Sequence, residues 1–132
     1  MAYNPITNPQ NVAINEINTG GGQVKHYLAA GALPGDIVSS TPGKITGWYI
    51  YNNQTTVARV AIYDAATVPV LGSTLNLKLA IVIPPSSGAN VALPAGLQFS
   101  TGIVYNIGAD VADTNTTPAT TGSVSVNIFY KN

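Results

Sequence analysis

The sequence predicts an all-β protein, an antiparallel β-sandwich with a jelly-roll-like arrangement of about six to eight strands. Several runs alternate apolar and polar residues with the period of a half-buried strand, and clusters of Gly, Pro, Asn and Ser separate them. Only 8% of the side chains are charged, and Asn, Thr, Ser and Gly take their place, which favours turns and strands over helices. The 132 residues suffice for one domain with a single core.

The beginning of the chain is the least regular part. Three glycines at residues 20–22 separate residues 1–22 from the rest, so this segment is either an N-terminal arm with a glycine hinge or a first strand before a wide loop. A short strand candidate lies at residues 12–17. Residues 24–32 fit a turn, a strand or a brief helix. The sandwich domain is assigned to residues 23–132.

The next strands lie in the first half of the domain. Residues 36–40 form a short strand candidate. The runs KITGWYIYN and VARVAIYD are rich in β-branched and aromatic residues. Because only residues 53–56 separate them, they predict a hairpin with a loop of about four residues.

Three further strands are predicted in the second half. The clearest places five alternating apolar residues on a core face, namely Leu75, Leu77, Leu79, Ile81 and Ile83. Their burial contributes roughly 7 to 15 kcal/mol before opposing terms. The same alternation aligns Ile103, Tyr105 and Ile107, and then Val124, Val126, Ile128 and Tyr130. Turns are predicted at residues 84–90 and 94–96, and a long loop at residues 109–122.

Charged residues are too few and too dispersed for most active sites. The five basic residues occur one per segment and the net charge is zero, which disfavours nucleic acid as a partner. His26 is the only histidine and there is no cysteine, so the usual zinc and copper sites and nucleophilic triads lack residues. Asp110 and Asp113, near Asn115, offer oxygen ligands without the spacing of a calcium loop. A non-enzymatic protein without cofactor or metal is expected.

No membrane segment is predicted. The N-terminal MAYNPITNPQ lacks the basic start and apolar run of a signal peptide. The most apolar stretch, residues 75–85, has about half the length needed to cross a bilayer and contains Lys78. Synthesis in the cytoplasm is expected.

A neutral, charge-poor surface favours close association with other subunits. Four lysines cannot protect every sheet edge, so edge pairing or close subunit packing is expected. Strand alternation places Trp48 and Ile50 on one face and Tyr49 and Tyr51 on the other, so one of these pairs belongs to the core. Aromatic side chains also anchor interfaces or stack on sugars. The candidate interface residues are Tyr3, Ile6, Val12, Ile14, Trp48, Tyr49 and Tyr51.

Five segments follow one another between residues 43 and 131. They are GKITGWYIYNN, ARVAIYDAATVPVLGST, LAIVIPPSSGANVALPAGLQFSTGIVYNIG, ADVADTNTTP and a final VSVNIFYK. In this order they resemble a group of small virion proteins of tailed bacteriophages, over about two thirds of the chain. The apolar strand ending in proline, the LPAGLQFSTGI unit and the ADTNTT loop before the last strand are the most specific parts of the resemblance.

The resemblance implies a head decoration (cement) protein that bridges subunits of the major capsid protein and resides in the virion after assembly in the host cytoplasm. It also implies a homotrimer with terminal arms, in which the segment before Gly20 would be the arm. Two alternatives remain. One is a tail or baseplate component. The other is a glycan-binding adhesin module, in which Trp48 or the tyrosines stack on sugar and residues 110–117 form a hydrogen-bonding rim.

Overall fold

A computed structural model describes residues 22–132 and confirms the all-β class, with eight strands in two antiparallel sheets. The strands are β1 (Gln23–Leu28), β2 (Gly35–Ser39), β3 (Gly43–Asn52), β4 (Ala58–Asp64), β5 (Leu77–Ile83), β6 (Ser87–Phe99), β7 (Ile103–Gly108) and β8 (Val124–Lys131). Of the three alternatives for residues 24–32, the first part is a strand, β1. The candidate at residues 36–40 is β2.

The strand order is β1-β8-β3-β6 in one sheet and β2-β7-β4-β5 in the other. Strands β4 and β5 follow one another in sequence and pair directly, whereas every other connection between consecutive strands crosses to the opposite sheet. This connectivity is that of a jelly roll. It brings segments from the two ends of the domain side by side, as where β8 lies between β1 and β3.

The core lies between the two sheets and is formed by alternate residues of their strands. In β8 the predicted residues Val124, Val126 and Ile128 are fully buried, and Tyr130 packs against the cluster. In β7 the predicted set is buried as well: Ile103, Tyr105 and Ile107. Period-2 alternation therefore identified the inward face of both strands correctly.

The prediction for residues 75–83 was wrong at its N-terminal end. Leu79, Ile81 and Ile83 contact the core, but Leu75 precedes β5 and is 74% exposed. In the pairing of β5 with β4, the register shifts between Leu79 and Leu77. This bulge turns the side chain of Leu77 to the outer side of the sheet. The alternation of apolar and polar residues in the sequence continues through the bulge, but the side chains no longer alternate between the two faces of the sheet in step with it.

The predicted hairpin across residues 53–56 was also wrong, because β3 and β4 belong to different sheets. The buried side chain of Asn52 holds the crossing connection, since its Nδ2 donates to the carbonyls of Thr56 at 2.9 Å and Ile83 at 3.2 Å. Its Oδ1 accepts the backbone N–H of Gln54 at 3.0 Å. A short polar loop can therefore connect two strands of different sheets as well as the two strands of a hairpin.

A turn is present at residues 85–86, within the range 84–90 where one was predicted, but β6 takes up residues 87–90 of that range and all of residues 94–96. Strand β6 is an edge strand, and Pro94 costs no ladder hydrogen bond because residues 93–96 pair with no residue of β3. The register with β3 shifts between Ile45 and Gly47, and Gly96 has a φ of +76° in this part of the strand. Proline and glycine therefore mark a bulged edge strand instead of a turn.

The carboxylate of Asp64, at the end of β4, fixes the connection between β6 and β7. It accepts the backbone N–H groups of Thr101 at 2.8 Å and Ser100 at 3.0 Å, and also the Ser100 hydroxyl at 3.0 Å. Burial alone raises the pKa of this carboxyl, but these hydrogen bonds and a longer one from Gly102 outweigh it and lower the pKa from 3.8 to about 2.

We expect Asp64→Asn to lower the free energy of unfolding at pH 7 by about 1 to 2 kcal/mol, with allowance for solvent screening. Because the folded-state pKa lies below the ordinary value, the stabilisation is present above pH 4 and is lost between about pH 4 and pH 2. Urea unfolding across this pH range measures both effects.

Asp110→Asn is the control for this variant, because Asp110 is exposed and, among residues 22–132, its side chain accepts only the N–H of Val111, at 2.7 Å. This control should match the wild type in stability. An equal loss in both variants would show that net charge, and not the hydrogen bonds of Asp64, sets the acid stability.

Candidate interaction surface

The chain itself covers the middle of the outward face of the β2-β7-β4-β5 sheet, whereas Ile37 of β2 and Val82 of β5 at its edges remain exposed. The β4–β5 loop (residues 65–76) crosses this face, and its carbonyls accept hydrogen bonds from Tyr63 Oη, to Ser73 at 3.0 Å, and from Asn106 Nδ2, to Pro69 at 3.3 Å. A second apolar cluster forms beneath the loop around Ala61, Tyr63 and Val104. Strand β7 is consequently buried on both faces.

Arg59 is fully buried on the same outward face, beneath the β7–β8 loop (residues 109–123). Its Nη1 donates to the carbonyl of Asp110 at 3.0 Å and to that of Ala112. Its Nε and Nη2 are buried without a hydrogen-bond partner in the described chain. The guanidinium therefore anchors the loop through backbone carbonyls, at the cost of burying a charge that is only partly compensated.

Among residues 22–132, no loop crosses the outward face of the β1-β8-β3-β6 sheet in this way. We call it the open face. It is formed by Val24, His26, Leu28, Tyr49, Tyr51, Ser125, Asn127 and Phe129. The register places Val24 beside Phe129, which lies opposite Gly47, and Leu28 and Tyr51 on either side of Ser125.

Five large apolar or aromatic side chains of the open face are exposed to solvent. Their exposed fractions are 56% for Val24, 50% for Leu28, 51% for Tyr49, 39% for Tyr51 and 41% for Phe129. These five side chains and the Ser125 and Asn127 between them carry no charge. Exposed apolar and aromatic side chains that are concentrated on one face are typical of an interaction site, so this face is the candidate.

Hydrogen bonds across three strands hold the middle of the open face. His26 Nδ1 donates to Asn127 Oδ1 at 2.9 Å, and Asn127 Nδ2 donates to the carbonyl of Tyr49 at 3.3 Å. The polar groups at the centre are thus largely paired with one another. This pairing lowers the cost of removing the face from water when a partner binds.

The one ion pair within residues 22–132 joins the two sheets at the edge formed by β1 and β2. Lys25 Nζ lies 2.8 Å from Asp36 Oδ2. Burial alone raises the pKa of Asp36, but the hydrogen bond from Lys25, the N–H of Ile37 and the lysine charge outweigh it and lower the pKa. The charge of Lys25 is therefore compensated within the molecule and lies away from the open face.

Two lysines meet at one end of the open face. Lys44 of β3 lies directly opposite Lys131 of β8, which is two residues beyond Phe129 on the same side of the strand. Together with Pro42, Gly43, Gln98 and Asn132 they line a groove of about 340 Å³. The sequence suggested basic residues dispersed one per segment, and the jelly-roll connectivity brings two of them together.

The structure separates the residues predicted for the interface. Tyr3, Ile6, Val12 and Ile14 lie outside the described residues, as does the strand candidate at residues 12–17. Trp48 packs against the core beside Ile50, whereas Tyr49 and Tyr51 lie on the open face. Sequence reasoning missed Val24, Leu28 and Phe129. For Phe129, the alternation in β8 already indicated an outward position.

The arrangement does not assemble the sugar site considered above. Trp48 points inward, so its ring is not a stacking platform. The tyrosines lie on the open face, whereas residues 110–117 belong to the loop that Arg59 holds on the opposite sheet. Within that loop the Oδ1 of Asn115 accepts the N–H of Thr117 at 3.1 Å, which is a local turn contact.

Residues 22–132 contain no group of three or more His, Cys, Asp or Glu side chains close enough to hold a metal ion. Burial raises the pKa values of Tyr63 and Tyr105, so both phenols stay neutral. Within the same range no helix has the length and apolarity to span a membrane.

Comparisons of the chain with protein-family models, with curated proteins and with solved structures found no match. The open face and the lysine groove at its end therefore carry the functional assignment.

Proposed function

We propose that this chain is a non-enzymatic structural protein of a virus particle, a decoration protein that binds the assembled head and ties neighbouring capsid subunits together. The observation that carries the proposal is the difference between the two sheets. Loops of the described chain cover the middle of the outward face of one sheet, and residues 22–132 leave the open face of the other exposed.

The chemistry of the open face supports a protein partner. Tyrosine and phenylalanine are enriched where proteins meet, and charged residues are depleted from the centres of interfaces. Tyr49, Tyr51 and Phe129 provide such anchors, and the side chains of His26 and Asn127 between them are already hydrogen-bonded. The residues that form the open face include no Asp, Glu, Lys or Arg, so burying them places none of these charges between subunits.

The fold and the sequence resemblance support a virus particle as the place of that partner. Jelly rolls occur in viral coat proteins, although lectins and cupins share the architecture, so the fold alone assigns no function. The ordered segments that resemble phage virion proteins favour the coat among these classes. They include GKITGWYIYNN, which contributes Tyr49 and Tyr51 to the open face.

The proposed action needs binding and no chemistry. A specific protein interface buries roughly 1,600 Å² in total. A protein that binds the assembled shell but not its separated subunits stabilises the shell by mass action. Many copies on one particle then add their contributions, and the shell resists heat and internal pressure better.

We expect particles assembled without the chain to lose their contents at a lower temperature, or after a milder osmotic shock, than particles that carry it. Adding the purified protein back should restore the resistance. Release of packaged nucleic acid, followed with a fluorescent dye during heating, measures the difference.

A particle reconstruction serves as the second readout, because head and tail positions are directly distinguishable in it. Density for the chain on the head lattice agrees with the proposal. Density on the tail or baseplate, or equal resistance of the two kinds of particle, contradicts a decoration role.

A further inference from the structure

We propose that the open face binds a protein surface that is apolar opposite the tyrosines and that carries carboxylates opposite Lys44 and Lys131. The inference rests on the proposed function in taking the partner to be a protein, and it adds the charge and the orientation of that partner. The lysine pair is the polar end of an otherwise neutral docking surface.

The position of the two lysines is unfavourable for the isolated chain. Lys44 and Lys131 are a directly opposed pair of neighbouring antiparallel strands, whose Cβ atoms lie about 5 Å apart. Like charges at such positions destabilise a sheet. Residues 22–132 form a single ion pair, that of Lys25 and Asp36. No carboxylate of these residues therefore lies within 4.0 Å of the ammonium group of Lys44 or Lys131.

The other three basic residues of the chain all have partners within the fold. Lys25 is paired with Asp36, and Arg59 is buried beneath the β7–β8 loop. Lys78 donates to the carbonyl of Gln98, and its Nζ lies 4.9 Å from the centre of the Phe99 ring. Among the charged residues of the described range 22–132, the two lysines without a compensating group therefore lie in one place.

The groove around the lysines is shaped by the backbone of its neighbours. The stem of Lys44 lies across Gly96, where a Cβ atom would come within 2.5 Å of Lys44 Cδ. Gln98 Nε2 donates to the carbonyls of Gly43 at 3.0 Å and Phe99 at 3.1 Å, which fixes this side chain at the groove. A carboxylate entering the groove meets two ammonium groups that are held on one side of the sheet.

The neighbourhood favours a protein carboxylate over an acidic glycan or a nucleic acid. Nucleic acids and sulfated glycans gain affinity from many cations along their length, and here there are only two. Next to the pair begins the apolar part of the open face, with Phe129 two residues before Lys131. A partner that covers both parts must itself be apolar with an acidic end, which a protein surface provides.

The consequence for assembly is a fixed orientation. An apolar face alone permits the partner to bind in several rotations. A rotation that moves the partner's carboxylates away from Lys44 and Lys131 leaves both the carboxylates and the ammonium groups unpaired. Opposite charges at the rim of an interface speed association and select its register, and this contribution falls as salt increases.

The test uses a short amphipathic peptide with two adjacent glutamates at one end, a matched peptide with glutamines, and a heparin hexasaccharide. Each is titrated into the 15N-labelled protein. The glutamate peptide is expected to shift the amide signals of Lys44 and Lys131 and to bind about tenfold more tightly than the glutamine peptide at low salt. This advantage should disappear in the variant Lys44→Gln/Lys131→Gln.

The control is Val70→Glu/Val111→Glu, which lowers the net charge by the same two units. Val70 and Val111 are 80% and 55% exposed and lie in the loops between β4 and β5 and between β7 and β8. This variant should keep the preference for glutamate. Equal binding of the two peptides, or an equal loss in both variants, overturns the proposal. Tighter binding of the heparin hexasaccharide assigns the groove to acidic glycans instead.

Binding of the protein to particles that lack it, at 50 and 300 mM NaCl, separates this inference from the proposed function. Stronger binding at low salt that requires Lys44 and Lys131 supports both. Binding that is insensitive to salt and to the lysine substitutions overturns the inference alone. No binding to particles, combined with the glutamate preference in the peptide titration, overturns the decoration role and leaves the carboxylate site standing.

Discussion

Tyr49→Glu is expected to weaken binding to particles by about a hundredfold or more, while the chain folds as before. Tyr49 is half exposed near the middle of the open face, and its neighbours across the strands, Asn90 and Asn127, are uncharged. A carboxylate there must be buried without a partner when the face docks, which costs several kcal/mol. Co-sedimentation of the variant with particles that lack the chain measures the loss.

Val70→Glu is the matched control, because it adds the same charge to a more exposed apolar residue of the β4–β5 loop. It should bind like the wild type. Both variants should unfold within about 1 kcal/mol of the wild type, since each replaces an exposed side chain. Full binding by Tyr49→Glu would mean that another surface of the chain meets the particle.

Arg59→Ala is expected to lower the free energy of unfolding by about 3 kcal/mol or more. The substitution leaves a cavity beneath the β7–β8 loop and removes the donor that bonds to the carbonyls of Asp110 and Ala112. Denaturant unfolding measures the loss. Hydrogen exchange should also become faster in the loop itself.

Arg59→Met separates the packing of this side chain from its charge. It keeps much of the buried volume and removes a guanidinium whose Nε and Nη2 have no partner in the described chain. Because uncompensated buried charges are costly, we expect this variant to lie within about 1 kcal/mol of the wild type. A loss as large as that of the alanine variant would assign the stability of the loop to the two carbonyl hydrogen bonds.

The sequence was sufficient where a strand has one buried face and regular pairing. Strand β8 is such a strand, and its inward residues Val124, Val126 and Ile128 followed from alternation alone. The fold class followed from several such runs together with the turn signals between them. These features depend on local chain geometry, which a single sequence contains.

Long-range contacts account for what the sequence could not provide. The bulge that turns Leu77 outward is a property of the pairing between β4 and β5, not of β5 by itself. The connection after Asn52 crosses between sheets, although its composition suits a hairpin equally well. Burial does not alternate along β4, because loops cover its outer face. Those loops are distant in sequence from some of the residues that they bury.

In the candidate site, too, local patterns were predictable from the sequence and long-range contacts were not. Tyr49 and Tyr51 were recognised as a possible outward pair because alternation within β3 already separated them from Trp48. The meeting of Lys44 and Lys131 depends on the pairing of β3 with β8. No local signal connects two strands from opposite ends of the domain, so the lysine groove became visible only in the fold.

The loops that lie over the β2-β7-β4-β5 sheet have a consequence for how this protein can change over generations. The core and the loops that Arg59 and Asp64 hold do not depend on the identity of the side chains on the open face. Mutations at Tyr49, Tyr51 or Phe129 can therefore accumulate with little loss of folding stability. A lineage with this fold is free to follow a changing partner, or to acquire a new one, by altering a single sheet face.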